Sequence, residues 1–286
     1  MEKPRKKQSR LGEIWRRLRK NKIAVVSLFV VVFIILIALF APLLAPYPYE
    51  NQNTKRVLEG SSKDFLLGTD RLGRDVLSRL IYGSRQSLQM GFTAVIFAAI
   101  AGIFIGSIAG YYGGWLDNLL MRILDIYQGI PMFLLTVTLA AVLGPSLRNA
   151  IIAIGISMIP GNSRFMRACI LTVREMDYVE SAKAIKASNR RIILKHIIPN
   201  AISPMIVSVT MGLGSSVLAG AGLSFIGLGV QPPIPEWGGM ISDARNFMRS
   251  NPTLSLYPGI CIMITVLAFN LLGDGLRDAL DPRLKT

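Results

Sequence analysis

The chain has 286 residues, 51% of them hydrophobic and 17% charged, with a mean hydropathy of +0.46. That is too apolar for an ordinary soluble domain and reads as an all-α polytopic membrane protein. The formal net charge of +15 does not point to nucleic acid, because much of the excess lies in the first 22 residues, where Lys and Arg abut an apolar run.

Residues 1–22 form a basic cytoplasmic lead with Leu11, Ile14, Trp15 and Leu18 at helical spacing, expected to lie on the inner face of the lipid bilayer with its cations toward anionic headgroups. Residues 23–45 are uncharged and about 35 Å long at helical rise, enough for a tilted crossing. This run exceeds the roughly 7–15 residues of a signal-peptide core, so an uncleaved first span is expected, although Ala38, Ala41 and Ala45 supply the small residues that cleavage uses. Pro42, Pro46 and Pro48 end it.

Segment 46–86 is expected to be an extracytoplasmic loop. Gly68 and Gly73 predict tight turns, and Val76, Leu77, Leu80 and Ile81 predict the apolar face of a short surface helix. Asp70 and Asp75 could form a catalytic acid pair, but Arg71 and Arg74 beside them point to simple ion pairing.

The five-helix core is expected over 87–276. Its first run, 87–115, carries Gly91, Gly102, Gly106 and Gly110, and 102–106 fits the small-xxx-small pattern of close helix contact. Gly113-Gly114 predicts a turn. A third span, 118–143, should kink at Pro131, with Arg122 and Asp125 three apart and paired. After Gly144-Pro145-Ser146, residues 149–163 give only 15 uncharged positions. That helix must run on past Arg164 and Arg167, which snorkel or face a wet or protein-lined interior. Spans five and six are read at 202–228 and 254–273, with Trp237 between them as an interfacial anchor and 277–286 as a cytoplasmic tail. Cys169 and Cys261 read as buried hydrophobes, and the single His196 has no evident second ligand. The lead has 10 basic against 2 acidic residues and the 174–200 loop 6 against 3, so both are placed inside. Four spans between them agree with that, giving six spans with both termini cytoplasmic.

The long polar interval 174–204 is the most informative stretch. Asp177 and Glu180 predict a capping box that starts a short helix, with Tyr178, Ala182 and Ile185 on one face. Residues 187–189 read as a turn, and the pattern resumes until Pro199 stops it. A small apolar knob flanked by Lys183, Lys186, Arg190, Arg191 and Lys195 is what a membrane protein offers a soluble partner.

This loop resembles the Glu-Ala-Ala loop of ABC-importer permeases, with Glu180, Ser181 and Ala182 at the triplet, Lys186 at its glycine position and Ile198-Pro199 at its end. Asn189 is the residue expected to carry the turn that Lys186 disfavours. Stretch 67–83, with Gly68, Thr69, Asp70, Gly73, Arg74 and Asp75, resembles the segment marking the C-type permease of dipeptide, oligopeptide and nickel importers; so does 274–283. The resemblance implies a type I importer permease fold in a bacterial or archaeal cell membrane and an ATPase-coupling role for Asp177, Tyr178, Glu180, Ser181, Ala182, Ile185, Lys186 and Pro199. It also implies a companion permease, two cytoplasmic ATPase subunits, an extracytoplasmic solute-binding protein, and small peptides as cargo, with nickel or glutathione as alternatives. No GxxxxGK[ST] phosphate loop is present, so the chain itself is expected to bind no cofactor, with ATP and Mg on the partner ATPases. A secondary transporter would need an inverted repeat or mid-span charges, and an intramembrane hydrolase a Ser/His pair, a metal motif or two mid-depth Asp. Neither pattern is present.

Overall fold

The computed structural model describes residues 10–280, which are helical apart from turns and one isolated antiparallel bridge between Thr69 and Asp75. The helices are α1 Arg10–Leu18, α2 Lys22–Leu39, α3 Ala41–Leu44, α4 Val76–Tyr112, α5 Gly114–Gln128, α6 Met132–Leu143, α7 Leu147–Arg174, α8 Asp177–Ala184, α9 Asn189–Ile192, α10 Ile198–Phe225, α11 Trp237–Ala244 and α12 Thr253–Leu280. Four stretches are long and apolar enough to cross a membrane: α2, α4, the continuous run Asn189–Phe225, and α12. A fifth arises if α5 and α6, bent by 83° at their break, count as one. The remaining segment expected to span, α7, has 28 residues, but Arg148, Asn149, Asn162, Arg164 and Arg167 lower its apolar content.

Three boundaries differ from the sequence reading. The helix expected on the surface of segment 46–86 is the buried beginning of α4, where Val76 and Leu80 join a core with Trp237, Met240 and Leu254. The kink at Pro131 is a full break, because Gly129 and Ile130 close α5 with turn bonds and Pro131 becomes the N-cap of α6. The expected tail from 277 is helical as far as Leu280, with Ala279 packed on Leu18 and Ala24. Residues 1–9, and Asp281, Pro282 and Arg283 of the terminal motif, lie outside the described residues. At the start, α1 turns Ile14 and Leu18 toward Leu276 and Ala279 and leaves Trp15, Arg16, Arg19 and Lys20 exposed.

The bundle is organised by α4 against α7. Gly102 faces the backbone of Asn162 and Ser163, Gly106 faces Met166 and Arg167, and Gly110 faces Ile170. A Cβ built on Gly110 would stand 2.8 Å from the Ile170 Cβ, and one on Gly106 2.8 Å from the Met166 Cβ, so side chains there have no room. Spacing of four places the glycines on one stripe, which lets the two axes approach until backbone meets backbone. The small-xxx-small reading of 102–106 is thus the packing seen. Elsewhere α2 lays Ala24, Ser27, Val31 and Ala38 on α12 and α4 and leaves Phe29, Phe33 and Leu36 exposed, as a lipid-facing helix must.

Gly106→Ala should therefore overpack the α4–α7 contact by about 1–3 kcal/mol and lower the melting temperature of the detergent-purified protein. Gly259→Ala in α12, where nothing lies within 4 Å of a built Cβ, should leave it unchanged or raise it.

Candidate functional site

The loop after α7 is tied to the bundle from three sides. The Arg174 guanidinium donates to the Gly110 and Tyr111 carbonyls at 3.0 and 3.3 Å, satisfying the last turn of α4. Val179 and Ala182 of α8 are buried with Met166, Ile170, Ile192, Ile197 and Met205. The Tyr111 hydroxyl donates to Asn189 Oδ1 at 2.8 Å. Outward, Tyr178 is 41% and Ile185 80% exposed, with Glu180, Ser181, Lys183 and Lys186 beside them. The face predicted to hold Tyr178, Ala182 and Ile185 is therefore divided. The bundle takes the Val179/Ala182 edge, and Tyr178 and Ile185 remain as the knob.

Three local expectations are corrected. Met176, not Asp177, is the N-cap of α8, and it makes no side-chain capping bond. Asp177 and Glu180 instead sit in the first turn, where carboxylates still favour the helix dipole, and Ser181 donates its hydroxyl to the Asp177 carbonyl at 2.9 Å. The turn is carried by Lys186 itself, at φ +57°, while Asn189 begins α9. The Lys186 N–H bonds the Lys183 carbonyl at 2.8 Å and the Ala187 N–H bonds the Ala182 carbonyl at 3.1 Å, a Schellman closure that demands a left-handed residue at that position whatever its identity. Pro199 does not stop a helix. A π-helical turn, Ile193–Ile197, widens the backbone just before it, with the Ile198 N–H reaching the Ile193 carbonyl, and the helix runs on through α10.

Stretch 67–83 folds into a knot at the opposite end of α4. Gly73, at φ +71°, presses against the Asn53 backbone, so only a residue without Cβ fits the turn. Asp70 Oδ1 accepts the Leu72 and Arg74 N–H groups at 2.8 and 3.0 Å, and Oδ2 accepts Arg74 Nε at 2.7 Å. Asp75 caps α4 through the Ser78 N–H at 2.7 Å, and Thr69 Oγ1 accepts the Glu59 N–H at 2.9 Å. Arg71 and Arg74 reach Asp243 at 2.9 and 3.5 Å, binding the knot to the end of α11. Asp70 is ion-paired with Arg74 and Arg79 at 2.7 and 3.4 Å, as the neighbouring arginines implied, whereas Asp75 makes no ion pair among the described residues and serves as a helix cap. Beside it, the Arg56 fork holds the Glu59 carboxyl below the usual carboxylate range. Trp237, expected at an interface, is buried and donates its indole N–H to the Leu80 carbonyl at 3.0 Å. Its neighbour Glu236, which sequence reasoning passed over, is buried as the N-cap of α11 and accepts the Ser87 hydroxyl at 2.7 Å. An acid immediately before Trp-Gly-Gly was the available signal.

Between these ends lies a cavity of about 670 Å³, walled by the α5–α6 break, the middle of α7 and the face of α10 that bears Ser208, Gly212 and Ser215. This is within the range of small-ligand sites. The α4 glycines are spent on packing, whereas these small residues of α10 do line the space. No charged side chain does. Asp125 pairs with Arg164 of α7, not with Arg122, which is exposed, and Asp117 takes a two-pronged bond from Arg167 at 2.5 and 2.5 Å. Asn162, also missed from sequence, lines the cavity at 9% exposure. Among the described residues no group of three or more His, Cys, Asp or Glu could hold a metal ion.

A helical membrane bundle with a docked polar loop at one end and a mid-bundle cavity defines a transport permease. The chain belongs to the family described as binding-protein-dependent transport system inner membrane component, whose model matches residues 102–286, and residues 9–59 match the N-terminal TM domain of oligopeptide transport permease C. It is 48% identical over 274 residues to the dipeptide transport system permease protein DppC of Alkalihalophilus pseudofirmus, covering 96% of this chain and 90% of the relative. It is 42% identical over 275 residues to the glutathione transport system permease protein GsiD of Pectobacterium atrosepticum, covering 96% and 91%. In fold it resembles the inward-facing MetNI methionine ABC transporter, with TM-score 0.58, 20% identity, and 72% of this chain and 97% of the other covered. The chain is thus a non-catalytic inner-membrane permease subunit, of a family that works with a binding protein and an ATPase.

Lys186→Gly should relieve a left-handed conformation that costs an L-residue about 1–2 kcal/mol. Amide exchange across 177–187 is expected to slow by about fivefold, equivalent to about 1 kcal/mol of local stability.

Proposed function

We propose that this chain forms half of the pathway of an ATP-driven importer of small peptides, paired with a companion permease and coupled to ATPase subunits through the loop at Glu180-Ser181-Ala182. The single observation that carries this reading is the division of α8. Val179 and Ala182 are locked into the bundle while Tyr178 and Ile185 stand out as an apolar knob beside Lys183 and Lys186. A partner cleft that receives the knob moves the bundle with it, because α8 joins α7 through two residues, and from α9 the helix is continuous into α10. From Asn189 to Gly212, which lines the cavity, is about 35 Å of helix at 1.5 Å per residue. A displacement at the loop is therefore delivered to the cavity wall as rigid-body motion.

The loop faces the cytoplasm in this reading, and so do both termini, in keeping with the basic lead. The 67–75 knot then faces outward, toward the solute-binding protein. ATP and Mg belong to two partner ATPase subunits, whose closure on nucleotide favours one state of the bundle over the other. Peptides are supported as cargo by the dipeptide permease relative. Glutathione, itself a small peptide, is the second reading, supported by the GsiD relative.

Ile185→Asp and Glu180→Lys should each lower ATP-dependent dipeptide uptake by the reconstituted complex at least about tenfold, a loss of about 1.4 kcal/mol or more in coupling, while the chain still inserts and co-purifies with its companion permease. Uptake at the wild-type rate in both variants would remove the loop from the mechanism.

A further inference from the structure

The α5–α6 break leaves unused donors at a helix start whose Pro131, Met132 and Leu135 line a cavity. The first helical bond of α6 runs from the Leu135 N–H to the Pro131 carbonyl at 3.0 Å, and the cap contributes no side-chain bond. The N–H groups of Met132, Phe133 and Leu134 thus have no partner among the described residues, at the positive end of a 12-residue helix whose first turn walls the cavity. Independently, Asn162 of α7 enters the same cavity. It is 9% exposed, rests its Cβ against Gly102, and its amide has no hydrogen-bond partner among the described residues. The residue is buried except where its unpaired amide opens to the cavity, which places that amide to meet something that arrives.

We infer that this cavity is a transient site for the C-terminal carboxylate of a passing peptide, held by the free N–H groups at the start of α6 and by the Asn162 amide. The inference rests on the peptide-import reading above. Neutral donors suit the task. With no Lys or Arg in the walls, and with Arg164 and Arg167 occupied by Asp125 and Asp117, the anion is attracted without being trapped, as a pathway requires. The opposite pole is also present, since Gln128 at the carbonyl end of α5 lines the same space and offers partial negative charge to the peptide ammonium. Met132 and Met158 supply adaptable apolar wall for varied side chains.

The test uses the complete transporter complex in nanodiscs and a dipeptide bearing a diazirine side chain, photolysed and mapped by mass spectrometry. Labels are expected within 127–135, 157–165 and 208–215. The unlabelled free-acid dipeptide should compete about tenfold better than its C-terminal amide, the size expected for charge-assisted hydrogen bonds. Asn162→Asp should abolish that preference by repelling the carboxylate, and Asn162→Leu should weaken competition by the acid alone. Labels elsewhere, or equal competition by acid and amide, would overturn the site. The acid/amide comparison in the wild-type complex needs no variant, so a substitution that misfolds does not blunt it. ATP-dependent uptake of the same free-acid dipeptide by the wild-type complex, measured in parallel, separates the two levels. Absent uptake overturns the import reading and this site with it, whereas uptake with equal competition overturns the site alone.

Discussion

The close contact of α4 with α7 is the constraint on which the other placements depend. Where Gly102, Gly106 and Gly110 meet Asn162, Met166 and Ile170, α7 lies directly on the α4 backbone with no α4 side chain between them. In a bilayer, where lipid tails solvate apolar side chains as well as protein does, such contact gains mainly through dispersion, and dispersion falls off within an ångström of separation. The stripe therefore sets both the distance and the rotation of α7. That rotation sends Asn162 into the cavity, and it sends Arg164 and Arg167 toward α5.

Charged residues within an apolar bundle persist only when neutralised or wet, since an isolated one near mid-membrane costs several kcal/mol. Arg167 on Asp117 and Arg164 on Asp125 do this across two helices, and in doing so they tie α5, a short amphipathic helix, to α7. The break at Gly129–Pro131 is tolerable for the same reason. Unpaired backbone is admitted at membrane depth where it borders a cavity and not lipid. Broken helix and cavity are thus one feature, each making the other physically possible.

At the two ends of α4 the chain solves different problems. The 67–75 knot uses Asp70 and Asp75 to saturate backbone donors and ties them to α11 through Arg71, Arg74 and Asp243, a cross-linked cap for the longest helix. At the other end, the loop combines a rigid inner face with an exposed outer one and keeps Lys186 in a left-handed conformation. Strain of this kind persists where surrounding bonds over-determine the backbone, and the paired Schellman bonds do so here.

The amino-acid sequence by itself determined the class: long uncharged runs, a basic flank, glycines at every fourth position, and motifs specific enough to name an importer permease. These are properties of local composition and spacing, which survive any tertiary arrangement. Turn sites at Gly68, Gly73 and Gly113-Gly114 were legible for the same reason, because backbone geometry there is fixed by neighbours in the chain. Only the tertiary structure decided which side of α8 is buried, that Asp125 bonds Arg164 and not Arg122, that Trp237 is internal, and that Asn162 enters a cavity. Periodicity says that residues share a helix face. It does not say which neighbour that face meets, because the answer depends on how each helix is rotated about its own axis, and the glycine contact between α4 and α7 sets that rotation.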